Sequence, residues 1–347
     1  MNEADLMGLY DRYAAELEDF WARRAVFPRF GRTVHLFGRA VSLTANDAGV
    51  LAAAEKLPPL YSSAPTLSEP PFTLQLVVQP PRRPVGPPPD DLIQHITYTG
   101  SADWLLLHLG AWGHAQVDLM RGRAVVVLAP SLAQRPDLVA GCVLHTVLLN
   151  CFIAAGYGLL HASCLVRGRQ ALLLLAPHNT GKSTTALRLA LNGYRLLSDS
   201  MVFVPPGGGL LLGFPVGITK LRGDMLAAFP ELQPLLAAEP VRDELKYRLD
   251  LGRVGEERVQ REGISAENLT LILLNRHDQT ASQTRPAAAD AVWAAVMRNS
   301  LYYDTPAVWQ RNLTALAPLI ARTRAYHLTL GRDEARLLDA VEALFSA

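Results

Sequence analysis

The sequence predicts an α/β fold, and three observations predict it. The uninterrupted apolar run Ala171–Leu175 reads as a buried strand. The loop Ala176–Ser183, ending Gly181-Lys182-Ser183, carries it into the helical pattern Thr184–Leu191, which Asn192-Gly193 stops. A further short strand, Tyr194–Leu197, follows. Strand and helix therefore alternate as in an α/β nucleotide-binding core.

Upstream the elements follow in order. In Met1–Arg24, Leu6, Leu9, Tyr10, Tyr13, Leu17, Phe20 and Trp21 recur near the helical period, which predicts an amphipathic helix. Its acids and its lack of an apolar stretch argue against a secretory signal. Thr33–Phe37 reads as a strand, Thr44–Lys56 as a helix capped by Thr44 or Asn46, and Phe72–Val78 as a strand. Gln79–Asp91 is dense in proline and reads as a loop or rigid spacer. Alternating apolar runs between Ile93 and Pro130 predict an antiparallel meander. Arg135–Ala155 reads as a helix. Its most apolar stretch, Val143–Leu160, holds His145, Asn150 and two glycines within about the minimum spanning length, so a core helix and a turn fit better than a membrane span. Leu160–Arg167 is the strand before the apolar run. The expected organisation is a mixed α+β domain over residues 1–135, docking a substrate or partner, and a nucleotide-binding domain over residues 136–347.

Half of the 347 residues are hydrophobic and 19% are charged, a composition that fills a core. The balance of 33 basic against 32 acidic residues provides no basic field for sequence-independent nucleic-acid binding. Cys142, Cys151 and Cys164 form no CxxC or ligand spacing and read as small core residues in a reducing, cytoplasmic compartment.

The central motif is Ala176-Pro177-His178-Asn179-Thr180-Gly181-Lys182-Ser183, followed by Thr184. Strand, loop, GK[ST], helix is the context a phosphate-binding loop requires. A helix N-terminus offers unpaired N–H groups and the positive end of a dipole to a triphosphate. Gly181 allows the tight turn, Lys182 brings a cation to the β- and γ-phosphates, and Ser183 offers a hydroxyl to Mg²⁺. Ala176 stands where the pattern usually has its first glycine. Asp199 is the single acid between Lys182 and Asp224. It is a candidate Mg²⁺ ligand or proton acceptor, with a turn aspartate as the alternative. His161 is either a core histidine or a site residue, and His178 is assigned no chemistry. Lys220, Arg222, Lys246 and Arg248 are candidate charge-neutralising cations, and the polar segment Pro240–Arg261 is a candidate lid.

From His161 to about residue 225 the sequence resembles the catalytic domain of the HPr serine kinase/phosphorylase family. The matching residues are His161 at the start of a strand, Ala171–Leu175, Gly181-Lys182-Ser183-Thr184, Asn192-Gly193-Tyr194, Leu197-Ser198-Asp199, Gly213-Phe214-Pro215 and Lys220-Leu221-Arg222. A weaker likeness of layout reaches the C-terminus, with Leu269–Leu274 as a late strand and Arg332–Ser346 as a final helix. The resemblance implies the P-loop kinase core shared with phosphoenolpyruvate carboxykinase, with ATP and Mg²⁺ as co-substrate and cofactor. It also implies transfer of the γ-phosphoryl group to a hydroxyl, usually a serine. It casts Asp199, His161 and Lys182 as catalytic, residues 176–184 as the nucleotide cradle, and Ser183 and Asp199 as metal ligands. Ser200 stands where the family has a second acid. Residues 1–150 do not resemble the family's N-terminal domain, and the family's downstream signature is not recognisable, so a peptide or protein other than HPr is the expected acceptor. A homo-oligomer fits the family's habit, and no membrane partner is expected. The alternatives are a non-catalytic ATP-binding regulator or scaffold, a kinase of small-molecule hydroxyls, and a phosphorylase or carboxykinase-like reaction on the same core.

Overall fold

The structure of the protein, a computed structural model, describes residues 30–81, 83–241, 244–276, 281–300, 306–331 and 333–346. The helix expected over Met1–Arg24 lies outside the described residues. The chain forms two compact units. The first holds residues 30–34, Ala40–Lys56 and Pro70–Leu148, and the second holds His35–Arg39, Leu57–Glu69 and residues from Leu149 onward.

The first unit is built on a seven-stranded sheet. Its strands are β1 (Phe30–Leu36), β2 (Arg39–Ala45), β3 (Phe72–Val78), β4 (Thr97–Gly100), β5 (Trp104–His108), β6 (Gly113–Asp118) and β7 (Arg123–Leu128), in the order β1-β2-β3-β7-β6-β5-β4. β2, β3 and β7 run parallel, and β4 to β7 form the expected antiparallel meander. The helix expected over Thr44–Lys56 is much shorter, α1 (Ala52–Lys56). Arg39–Ala45 alternates buried and half-buried residues with period two, so Thr44 extends a strand. Asn46 caps no helix. Its amide reaches the end of β3, Nδ2 donating to Val78 O at 3.0 Å and Oδ1 accepting from Val78 N at 2.8 Å.

Short helical turns at Pro130–Ala133 and Pro136–Leu138 lead through a π-helical stretch, Val139–Leu144, into α2 (His145–Ala154). Pro136–Ala154 is long and apolar enough to cross a membrane by length and composition. Buried residues make up 61% of its apolar window, as a core helix requires.

The second unit centres on a nine-stranded mixed sheet. Its strands are β8 (Gly158–Leu160), β9 (Ser163–Arg167), β10 (Gln170–Leu175), β11 (Arg195–Val204), β12 (Leu210–Val216), β16 (Ile264–Ser265), β17 (Leu269–Arg276), β18 (Gln283–Pro286) and β19 (Arg324–Leu330). The order is β16-β12-β11-β9-β10-β17-β19-β18, with β8 also on β11. β10, β17 and β19 are mutually parallel, whereas β9 runs antiparallel to both β10 and β11. The strand expected over Leu160–Arg167 is interrupted at His161-Ala162, and the one expected over Tyr194–Leu197 continues to Val204.

A separate three-stranded sheet, β13-β15-β14, comprises β13 (Ile218–Arg222), β14 (Ala237–Val241) and β15 (Glu244–Asp250). Part of the candidate lid is therefore not loop: its β15 pairs on both sides. Helix α3 (Lys182–Leu191) covers one face of the large sheet, burying Ala186, Leu187, Leu189 and Ala190 against Leu165, Leu172, Leu174 and Leu196. On the opposite face α4 (Ala289–Arg298) and α5 (Pro306–Ile320) contribute Val292, Val296, Leu316 and Leu319 against Cys164, Leu173, Leu175 and Leu197. The C-terminal helix α6 (Glu334–Ser346) returns to the α3 side, where Leu337 and Val341 are buried.

Candidate functional site

The loop after β10 is shaped by two residues with positive φ, Asn179 at 61° and Gly181 at 102°. The left-handed region suits glycine, because a side chain there clashes with its own backbone, and asparagine is one of the few others that tolerate it. Ala176 is buried at the strand end, Pro177, His178 and Asn179 are exposed, and Thr180 is half-buried. Gly181 is the N-cap of α3, and its carbonyl accepts from Thr185 N at 2.9 Å. The amides of Lys182, Ser183 and Thr184 thus fall in the first turn, where N–H groups have no intrahelical acceptor. Ser183 and Thr184 are half-buried there.

Lys182 turns inward. Its side chain is 9% exposed, and its Nζ lies 3.8 Å from Asp199 Oδ1, whose side chain is 1% exposed. Burial lowers the Lys182 pKa, the Asp199 carboxylate raises it, and the Lys246 charge lowers it further.

Asp199 faces α3 because β11 bulges. Leu196 pairs with Leu165 of β9, but Ser198 pairs with the next residue, Cys164, so two steps along β11 match one along β9. The extra residue, Leu197, resets the alternation, and Ser198 shares the face of Cys164. Asp199 then falls on the face of Ser163 and Leu165, the one that α3 covers. A second irregularity, between Ser198 and Met201 against β12, follows at once.

Two hydroxyls hold the carboxylate. Ser163 Oγ donates to Asp199 Oδ1, and Thr219 Oγ1, from β13, donates to Oδ2 at 2.5 Å. Both residues are buried. Each carboxylate oxygen has two lone-pair directions, so the pair of hydroxyls leaves one on each free for a cation or a proton. Ser200 brings no acid; its N–H donates to Ser198 Oγ at 3.2 Å. Ser198 Oγ itself donates to Phe214 O at 2.8 Å.

His161 sits between β8 and β9, half-buried, with its N–H donating to Asn299 O at 2.8 Å. Burial pushes its imidazole down to about 4, helped by Lys182 and opposed by Asp199 and by a hydrogen bond with the Ser200 backbone. It is therefore neutral near pH 7.

The structure thus brings together Lys182, Asp199 and His161, with Gly181, Ser183 and Thr184 at the helix start. It leaves His178 at the exposed tip. Lys220 and Arg248 pair across β13 and β15, as do Arg222 and Lys246. Sequence reasoning missed Ser163 and Thr219. The available signal was a hydroxyl interrupting an otherwise apolar strand: Ser163 opens a five-residue strand whose other inner positions are Cys, Leu and Val. Among the described residues no group of three or more His, Cys, Asp or Glu can hold a metal alone.

No protein-family model matches the sequence, and no curated protein is similar to it. Among solved structures, the Hpr(Ser) kinase/phosphatase from Coxiella burnetii is similar over 54% of this chain and 95% of its own, at 12% identity and a TM-score of 0.28. A likeness of that degree carries no argument about what this chain does. The mixed α/β architecture and the site rest on this chain's own geometry.

Proposed function

We propose that the chain is an ATP-dependent phosphotransferase with a P-loop kinase core, acting in the cytoplasm on a hydroxyl of a peptide or protein, a serine first. The observation that carries this reading is the buried Lys182–Asp199 pair, 3.8 Å apart at the start of a helix that follows a left-handed loop. The first-turn amides and Lys182 would take the triphosphate, because both offer positive charge to the same anion. Ser183 and Asp199 would hold Mg²⁺, which neutralises phosphate charge when bound. In the transfer, the acceptor oxygen bonds to the γ-phosphorus as the bond to the β,γ-bridging oxygen breaks. ADP leaves with that electron pair, and the acceptor proton passes to the Asp199 carboxylate and on to solvent. The Ser163 and Thr219 hydroxyls fix the carboxylate's direction, so little reorganisation remains. His161, neutral beside the Ser200 backbone, can accept a hydrogen bond without adding charge.

One observation favours a second reading, a nucleotide-binding regulator without turnover: Ser200 replaces an acid, and both Asp199 oxygens already accept hydroxyl hydrogen bonds. Calorimetric titration of Mg-ATP into the wild type and into Lys182→Ala, with ADP release followed on the same samples, separates the two. Binding that is lost in the variant, with slow ADP release by the wild type, is expected. Binding without release moves the assignment to the regulator. No binding to the wild type refutes both.

A further inference from the structure

Thr219 reaches Asp199 against the run of the strand that precedes it. β12 is antiparallel to β11, and its last residue, Val216, pairs with Ser198. Each step forward in β12 is one step back in β11. Pairing carried on past Val216 would set Thr219 opposite Arg195, four residues from Asp199 and roughly 13 Å away at the rise of a strand. Instead Thr219 Oγ1 donates to Asp199 Oδ2 at 2.5 Å. A single residue, Gly217, separates β12 from β13, and the chain changes direction there.

Gly217 has a φ of 65°, in the left-handed region. Its N–H donates to Leu197 O at 3.2 Å, and its carbonyl accepts from Leu251 N at 3.0 Å. Leu197 is the extra residue of the bulge that turns Asp199 toward α3. The carbonyl before it, Leu196 O, accepts from Gln260 N at 3.0 Å, so both carbonyls of the bulge are held from outside the strand. Gly217 thus ties together the two strands that meet at the carboxylate. Leu197 stands two residues before Asp199, and Thr219 two residues after Gly217.

The position has no room for a side chain. A Cβ on Gly217 would lie 2.8 Å from Val259 Cγ1 and 3.0 Å from Cγ2, whereas Val259 Cβ, at 3.5 Å, would be an ordinary contact. Val259 is buried and cannot swing into solvent. We propose that Gly217 is a positioning residue: it locks the bulge of β11 to the start of β13, so that the Thr219 hydroxyl stays on Asp199 while the carboxylate faces the Lys182 ammonium. Its part in transfer rests on the phosphotransferase reading; the aiming of Thr219 does not.

The test uses the full chain with Gly217→Ala, Thr219→Val, the two together, and Gly217→Ala joined to Val259→Ala. Gly217→Ala and Thr219→Val should each quicken amide hydrogen exchange across β11 about fivefold or more. Together they should quicken it no more than Gly217→Ala alone, because both remove the same hydrogen bond. Val259→Ala takes away the two methyl contacts and should restore much of the protection that Gly217→Ala loses. If Gly217 served only as a turn, the cavity left at Val259 would add to the damage. Effects of Gly217→Ala and Thr219→Val that multiply, or a Val259→Ala replacement that worsens Gly217→Ala, overturn the proposal. Should Gly217→Ala alone fail to fold, its pair with Val259→Ala must fold, and a pair that stays unfolded overturns the proposal equally.

Transfer is read on the same samples. Gly217→Ala and Thr219→Val should each slow ADP release at saturating Mg-ATP about tenfold and leave the Mg-ATP dissociation constant within about twofold, since the loop and Lys182 are untouched. A loss confined to Mg-ATP affinity refutes the role in transfer. A wild type that binds Mg-ATP without releasing ADP refutes the phosphotransferase instead, and the exchange results then uphold or overturn the aiming of Thr219 by themselves.

Discussion

Replacing Lys182 by methionine, Asp199 by asparagine, and both together measures how the buried pair is coupled. At 3.8 Å and an effective dielectric near 20, the two charges attract by about 4 kcal/mol. Removing the ammonium from water offsets much of this, and burial is indeed the largest cause acting on the Lys182 pKa. Asp199→Asn takes the carboxylate partner away from the buried Lys182 ammonium and should cost about 3 kcal/mol. Lys182→Met strands a carboxylate that keeps the Ser163 and Thr219 hydroxyls, so its cost should be nearer 2 kcal/mol. The double replacement removes both charges and should cost less than the two singles together, by about 2 kcal/mol. Amide hydrogen exchange on peptides covering β9, β10 and β11 is the suitable assay, because it reads the opening of the strands around the pair and needs no two-state unfolding of a chain with two units. Costs that add to within about 0.5 kcal/mol would refute the reasoning, since independent sites behave that way.

Two further predictions concern stability. Asn312, fully buried on α5, accepts from Leu159 N at 2.6 Å and donates to Leu159 O at 3.1 Å and to Ser300 Oγ at 2.6 Å, so its amide serves the outer edge of β8. Asn312→Ala should cost about 3 kcal/mol by leaving those groups without that partner, and urea midpoints that match the wild type would contradict this. His161 is held down to about 4 in the fold and titrates near its ordinary value when unfolded. As pH falls below about 6.5 the unfolded chain takes up a proton that the folded chain refuses until about pH 4, so stability present above that window declines through it, by about 2 kcal/mol for this partly exposed ring. His145, buried and pushed to about 3, adds in the same direction. His161→Asn should flatten the decline between those pH values in thermal melts; an unchanged slope would count against a neutral His161.

What could be read from the chain was local. The apolar run of β10, the glycine-bearing loop and the start of α3 are contiguous, and each expresses a short-range rule: a buried strand, a left-handed turn, unpaired amides in a first turn. Asp199 could be picked out because no other acid competes in its stretch. The meander β4 to β7 was legible because turns and alternation repeat at short spacing. The expected Thr44–Lys56 helix failed because the partners of β2 lie far along the chain: β3 pairs with it residue for residue, and Asn46 is taken up by Val78.

The sequence by itself therefore determined the identities and order of the groups gathered in the candidate site. Only the tertiary structure decided how they point. Ser163 and Thr219 reach Asp199 from 36 and 20 residues away, and Asn312 reaches Leu159 from 153. The bulge at Leu197 turns Asp199 toward α3, and a bulge is a property of pairing between strands rather than of either strand alone. Periodicity within a segment reports which side of it is apolar, whereas contacts between distant segments depend on register, and register is settled by the packing of the whole sheet.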